Sequence, residues 1–125
     1  NEFSSGMRDA TALKQFLRMF YVRGSGIANQ IPKYCVLIGD GTYDNRNILD
    51  HGNNLLPVFE SQESLSKVNT FATDDFFAIL SDGGSMRNTD LLNIAIGRLT
   101  VSTEQEALDM VQKIIQYQKI TQYQK

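Results

Sequence analysis

The segment that most constrains the fold is the short apolar run YCVLIG at residues 34–39. It lies between Pro32 and Gly39 and is rich in strand-forming residues, so it predicts a β-strand that is buried on both faces. The sequence then changes abruptly to the acidic, glycine-bearing and amide-rich GDGTYDNRN. This change is typical of a loop that leaves the carboxyl end of a parallel strand, where open α/β sheets place their ligands.

Length and charge narrow the classes of protein that the chain can represent. With 125 residues, it is expected to form one domain around one core. The net charge is −2 and the basic residues are scattered, which argues against a nucleic-acid partner. No apolar run approaches the roughly 20 residues that a membrane-spanning helix needs. Because the chain opens with Asn1 and enters a predicted helix almost at once, we interpret it as part of a longer protein.

The single cysteine and the single histidine limit the nucleophilic chemistry that the chain can perform. Cys35 lies inside the apolar run, where a cysteine is usually a small buried hydrophobic residue without the partner that activates a thiolate. Any Ser-His-Asp or Cys-His mechanism would have to use His51. His51 lies in the polar turn DHGNN and is interpreted as a solvated loop residue. The sequence therefore provides no complete catalytic set.

Apolar spacing predicts a helix over residues 7–22. Its apolar residues recur at helical spacing and define one face that is expected to pack on the sheet: Leu13, Phe16, Leu17 and Phe20. Lys14 and the other polar residues are expected to face water. Ser5 or Gly6 is the predicted cap, and the Gly-Ser-Gly at 24–26 is expected to end the helix.

The second half of the chain predicts further elements of both types. Residues 39–70 show little periodicity and form a long predicted loop, in which Pro57 restricts LLPVF to an edge segment. DFFAIL at 75–80 predicts a strand, and a glycine-rich turn follows it. LLNIAIGRL at 91–99 predicts the second central strand. Residues 103–124 predict a long helix, and the spacing of Thr103 and Glu106 predicts a capping box at its start.

Helices that alternate with apolar strands predict an α/β sandwich with a mainly parallel sheet flanked by helices. Several oxygen-bearing side chains follow the predicted strands: Asp40, Asp44, Asn45, Asn47, Asp74 and Asp75. Calcium binds six to eight such oxygens, but the spacing differs from that of a helix-loop-helix calcium site, so solvated turn residues are the preferred interpretation. The sequence GDG lacks the glycines or the lysine of nucleotide-binding loops. No cofactor is predicted, with calcium as the weaker alternative.

Three passages together resemble the gingipain family of cysteine peptidases, and within it a branch of surface sortases of type IX secretion. They are YCVLIGDGTYDNRNIL, FATDDFFAILSDG and LLNIAIGRLTVSTEQEALDMVQKIIQYQ. The resemblance spans residues 1–122, and its most specific parts are VLIGDGTYDNRN and IAIGRLTVSTEQEA. Thr100 occupies a position where relatives often have proline, which affects the exit from the strand and leaves the chemistry unaffected.

The resemblance implies a caspase-like α/β sandwich with a His-Cys dyad. It implies a parent endopeptidase at the bacterial cell surface, on the outer membrane, which removes C-terminal secretion signals from protein substrates and attaches these proteins to lipopolysaccharide. In this family both dyad residues follow strands beyond the long helix. The resemblance therefore implies that residues 1–125 are an incomplete N-terminal subdomain, inactive alone, with no catalytic residue before Lys125.

Four residues are expected at the edge of the catalytic cleft: Asp40, Tyr43, Asp44 and Asp74. An exposed sheet edge is expected to favour self-association, because unpaired strand groups seek partners. One alternative is a non-enzymatic α/β binding module that uses the 39–70 loop as its contact surface. Another is a small hydrolase that uses the loop acids, such as Asp40 paired with Asp74.

Overall fold

Two parallel strands form the centre of the fold. The computed structural model describes residues 2–27, 29–50, 54–62, 65–86 and 90–122. Strand β1, Tyr34–Ile38, pairs in parallel with strand β4, Ala95–Leu99, and the register runs from Tyr34 beside Ala95 to Ile38 beside Leu99. Two short strands, β2 (Phe59–Glu60) and β3 (Ala72–Thr73), form a separate antiparallel pair. The predicted α/β class with a parallel sheet is confirmed.

Helix α1, Ala10–Gly24, is capped by Asp9, whose carboxylate accepts a hydrogen bond from the Thr11 amide at 2.9 Å. The prediction of Ser5 or Gly6 as the cap is wrong, because a carboxylate one residue before the helix satisfies the free amide directly. Gly24 ends the helix where the chain returns close to it, since a Cβ atom there would lie 2.6 Å from the Gln30 carbonyl oxygen.

Lys14 is buried in α1, with 7% of its surface exposed, so the prediction that it faces water is wrong. Its ammonium nitrogen lies 4.3 Å from the centre of the Phe76 ring and donates a hydrogen bond to the Gly84 carbonyl at 3.3 Å. These two contacts compensate in part for the loss of water around the charge. Burial lowers the pKa of Lys14, and the nearby positive charge of Arg18 lowers it further.

The face of α1 that packs on the core is rotated from the predicted one. Leu17 and Tyr21 pack on the core, whereas Phe16 and Phe20 remain 43% and 46% exposed. Phe16 instead contacts Phe20 edge to face at 5.0 Å, and Phe3 at 6.1 Å. Lys14, Leu17 and Tyr21 lie at i, i+3 and i+7, so the buried face of α1 includes Lys14 in place of Phe16 and Phe20.

The predicted strand at 75–80 is wrong, since Asp75–Ala78 forms a 3₁₀ helix. The Phe77 amide donates to the Asp74 carbonyl at 3.0 Å, which closes a three-residue turn. Consecutive residues of this segment are almost fully buried and belong to the core: Phe77, Ala78, Ile79 and Leu80. This continuous burial differs from that of a strand with one exposed face, which would bury alternate residues.

Strand β4 begins at Ala95 and not at residue 91, because Asn93 is used to bind the preceding segment. The Asn93 amide donates to the Ala78 carbonyl at 2.9 Å. Its side-chain oxygen accepts hydrogen bonds from the amides of Leu80 and Ser81, at 2.6 Å and 3.0 Å.

The two faces of the β1–β4 sheet differ in cover. The covered face, which packs toward α1 and the 3₁₀ helix, consists of Cys35, Leu37, Ile96 and Arg98. The open face consists of Tyr34, Val36, Ile38, Ala95, Gly97 and Leu99, of which Leu99 is half-buried. Tyr34, Val36 and Ile38 are 78%, 61% and 56% exposed, so the prediction that β1 is buried on both faces is wrong.

Helix α2, Glu104–Gln122, follows β4 after a short connection. The predicted cap is confirmed in its first half, since the Glu106 amide donates to the Thr103 hydroxyl at 3.2 Å. The Glu106 carboxylate accepts a hydrogen bond from the amide of Ser102, one residue before the cap, at 2.7 Å. The larger aliphatic residues of α2 stay 40–58% exposed: Leu108, Val111, Ile114, Ile115 and Ile120. In the described part of the chain, no helix is both long enough and apolar enough to cross a membrane.

Candidate functional site

The candidate site lies at the carboxyl ends of β1 and β4, which the parallel register brings to one edge. Pairing continues past both strands, since the Gly39 amide donates to Leu99 at 3.0 Å and the Asp40 amide donates to Val101 at 2.9 Å. The Asp40 carbonyl in turn accepts hydrogen bonds from the amides of Leu55 and Leu56. The long loop is therefore hydrogen-bonded to the end of the sheet at Asp40, where it begins, and again at Leu55 and Leu56.

Arg98 is the residue that organises this edge. Its guanidinium makes two hydrogen bonds to the Asp74 carboxylate, from Nε at 2.9 Å and from Nη2 at 2.7 Å. The remaining donors reach three backbone carbonyls, those of Gly39 (3.0 Å), Leu56 (3.3 Å) and Pro57 (3.1 Å). The Arg98 side chain is only 8% exposed. All five N–H donors of the guanidinium thus hold together four separate parts of the chain.

Arg98 was not among the predicted site residues, although the sequence contains a signal for its role. Arg98 is the single charged residue in the apolar run LLNIAIGRL. A charge in a buried strand requires a partner, and the acidic pair of Asp74 and Asp75 was the available source. The pairing itself depends on a contact between residues 24 positions apart, which spacing does not reveal.

Asn54 fixes the conformation of the loop and is 8% exposed. Its side-chain oxygen accepts from the Thr42 amide, and its side-chain nitrogen donates to the Asp44 carbonyl and to the Asn45 side chain, each at 3.4 Å. The Arg8 guanidinium donates to the Asn54 carbonyl. The loop is therefore held by internal polar contacts and by the segment before α1.

The structure places Asp40 and Asp74 at the same edge. Asp40 directly follows Gly39, whose carbonyl shares the Arg98 guanidinium with Asp74. One Asp40 oxygen accepts from the Gly41 amide at 2.9 Å. The Asp74 carboxylate is neutralised by Arg98, which makes it a structural ion pair and a poor candidate for acid–base chemistry with Asp40.

The other predicted site residues lie further along the loop. Tyr43 is 65% exposed and presents its ring to solvent. Asp44 accepts a hydrogen bond from the Leu49 amide at 2.6 Å, which closes a local turn. His51 lies outside the described residues.

Glu60 lies beside this loop at the end of β2. Its carboxylate accepts a hydrogen bond from the Asn45 side chain at 3.0 Å. Burial raises the pKa of Glu60, and the negative charge of Asp44 raises it further. The neighbouring Asp44 carboxylate thus destabilises the charged form of Glu60.

The described residues give little support for metal binding or for thiol chemistry. Across the described ranges, no group of three or more histidine, cysteine or acidic side chains is placed to hold a metal ion. Cys35 lies half-buried on the covered face. Burial raises the pKa of its thiol, and the negative charge of Asp74 raises it further, so the unreactive protonated form is favoured.

The fold and the site define an α/β domain whose loops meet at the carboxyl ends of parallel strands, the edge that carries the ligands of such enzymes. The model of peptidase family C25 matches residues 1–125, and the chain belongs to this family. This confirms the gingipain-like resemblance.

One solved structure gives a more specific comparison. The chain is similar to the crystal structure of dimeric latent PorU from Porphyromonas gingivalis, with 36% sequence identity and a TM-score of 0.76. The match covers 94% of this chain but only 12% of the PorU chain, so the chain spans a small part of that protein's length. None of the curated proteins matches it.

Proposed function

We propose that this chain is the N-terminal subdomain of the peptidase domain in a PorU-type cysteine endopeptidase. The parent removes C-terminal secretion signals from type IX cargo proteins at the bacterial cell surface and acts there as a sortase. The observation that carries the proposal is the match to peptidase family C25 over residues 1–125, together with 36% identity to PorU. The parallel-strand edge supports it, because this is where an α/β peptidase would place its cleft.

In this proposal the chain supports the cleft and leaves the reaction to other parts of the parent. Asp40, Tyr43, Asp44 and Asp74 line one side of the cleft, and Arg98 fixes the strand ends beneath them. The His-Cys dyad lies outside residues 1–125, so the segment alone is inactive. The covered position of Cys35, and the raised pKa of its thiol, support the assignment of the nucleophile to another cysteine.

The same proposal includes self-association. Within the described residues the β1–β4 sheet has two strands, so each strand has one edge without a neighbouring strand. Such edges pair readily with other chains. The related PorU structure is dimeric, which supports association of the parent as well.

The test uses the full-length parent and a cargo protein that ends in a C-terminal secretion signal. We expect cleavage by the parent, loss of cleavage after thiol alkylation, and unchanged cleavage in a Cys35→Ser parent. Residues 1–125 alone are expected to leave the cargo intact. Cleavage by the segment alone would refute the assignment, and so would loss of activity in a folded Cys35→Ser parent.

A further inference from the structure

A pocket of about 390 Å³ opens beside the β2–β3 hairpin and the 3₁₀ helix. We refer to it as the aromatic pocket. Its described lining consists of Phe59, Ser61, Gln62, Asn69, Phe71, Phe76, Gly84, Ser85 and Met86. Its volume lies within the range of about 300–1,000 Å³ that is typical of small-molecule and cofactor sites. None of the residues that define the Arg98 edge contributes to this lining, so the pocket is a separate feature.

The inner wall of the aromatic pocket is held in place from behind. Phe59 and Phe76 stack with their ring centres 4.2 Å apart and their planes 17° apart. Phe76 also contacts Phe77, which is fully buried, edge to face at 5.8 Å. The ammonium of Lys14 lies over the Phe76 ring, 4.3 Å from its centre. Three neighbouring side chains thus contact Phe76 and define its position in the wall.

The rim of the pocket is polar but uncharged. The Ser61 amide and hydroxyl bind the returning hairpin strand, with contacts of 3.1 Å to the Phe71 carbonyl and 3.2 Å to the Asn69 carbonyl. The Gln62 side chain is exposed beside them. The Ser61 groups are used within the hairpin, whereas the Gln62 side-chain amide offers both a donor and an acceptor, which are the groups that a peptide backbone requires. Among the described lining residues, none carries a charge.

We propose that the aromatic pocket binds a peptide segment by inserting one bulky, uncharged side chain, such as phenylalanine or leucine. Three phenylalanine rings and the Met86 thioether provide an apolar interior that favours such a side chain. A charged side chain would lose its water without gaining a partner from the described lining. The Gln62 side chain at the rim binds an adjoining peptide group. This site is independent of the peptidase assignment and stands or falls separately.

The test uses N-acetyl-phenylalaninamide as the probe and the methyl resonances of the methionines as reporters. Of the four methionines, Met86 lines the pocket, whereas Met7, Met19 and Met110 do not. We expect a saturable shift of the Met86 methyl signal alone, with a Kd in the millimolar range that is usual for a probe of roughly 15 heavy atoms. N-acetyl-lysinamide and N-acetyl-aspartamide are expected to cause no saturable shift over the same concentrations.

A pair of matched variants locates the binding. Phe71 and Phe20 are equally exposed, at 47% and 46%, but only Phe71 lines the pocket. Phe71→Ala should weaken probe binding by roughly fivefold or more, and Phe20→Ala should leave it unchanged. Equal binding of the neutral and charged probes, or no Met86 shift at millimolar probe, would overturn the proposal. The probe comparison decides the question with the unaltered chain, even if Phe71→Ala fails to fold.

Discussion

The two faces of the β1–β4 sheet come from the same two strands yet have opposite environments. On the covered face, Leu37 is 5% exposed and lies beside Arg98, whose side chain is 8% exposed. On the open face, Val36 is 61% exposed, and its neighbour Gly97 has no side chain that could cover it. The buried face thus contains a charge, and the exposed face of β1 contains only apolar and aromatic residues.

Hydrophobicity alone therefore does not determine which face of a strand is covered. Arg98 can be buried because every one of its donors has an acceptor, so burial leaves no group unsatisfied. Val36 and Ile38 are apolar but have no neighbour in the described structure that removes them from water. Under the proposed function, other parts of the parent peptidase domain would cover the open face.

The largest expected effect comes from breaking the ion pair beneath the covered face. Asp74→Asn should lower the free energy of unfolding by about 3 kcal/mol or more, because it leaves the buried Arg98 charge without its counterion. The Asp74 side chain makes no helix-capping hydrogen bond, so the change acts mainly through the charge. Chemical denaturation followed by circular dichroism measures the difference.

The matched control for this prediction is Asp82→Asn. Asp82 also pairs with an arginine, Arg18, but its side chain is 92% exposed. Such a surface pair contributes between 0 and about 1 kcal/mol, so the control should be nearly neutral. Equal losses in the two variants would contradict the view that Arg98 organises the covered face.

The next largest effect compares two neighbouring residues of β1. Leu37→Ala on the covered face should cost about 2–5 kcal/mol of stability, because it removes buried methyl groups and leaves a cavity. Val36→Ala on the open face should change stability by no more than about 0.5 kcal/mol. Thermal and urea unfolding of both variants measure the ratio. A Val36→Ala loss comparable with that of Leu37→Ala would show that the open face is covered in solution.

Local patterns predicted several parts of this fold because the forces behind them are local. The apolar run before Gly39 and the run before Thr100 predicted two parallel strands, and the capping box predicted the start of α2. The turn chemistry after Gly39 predicted the loop that follows β1. The residues that decide each strand, turn and cap lie within a few positions of one another, whereas the parallel pairing joins strands that are distant in the sequence.

The remaining features depend on contacts between distant residues, which periodicity does not report. Lys14 reads as a solvent-facing residue until Phe76 and Gly84, over 60 positions away, provide its partners. DFFAIL is predicted to form a strand, but the Asn93 side chain accepts hydrogen bonds from the amides of Leu80, at its end, and of the following Ser81. Four residues were predicted to line a cleft at the carboxyl ends of the strands, but the residue that holds these strand ends together is Arg98.

The smallest expected effect concerns Glu60 in the β2–β3 hairpin, and it tests whether burial on the covered side extends to this carboxyl group. Burial, and then the charge of Asp44, raise the pKa of Glu60, so the folded state binds this proton more tightly than the unfolded chain. Stability should therefore fall as the pH rises from the ordinary glutamate value of 4.5 through the raised pKa of Glu60, and then level off. Glu60→Gln keeps the oxygen that accepts the hydrogen bond from Asn45 but removes the charge. It should gain stability over the wild type across that pH interval, whereas Glu2→Gln, at an exposed position, should not. Denaturation midpoints measured at a series of pH values test this prediction, and parallel curves for Glu60→Gln and the wild type would contradict it.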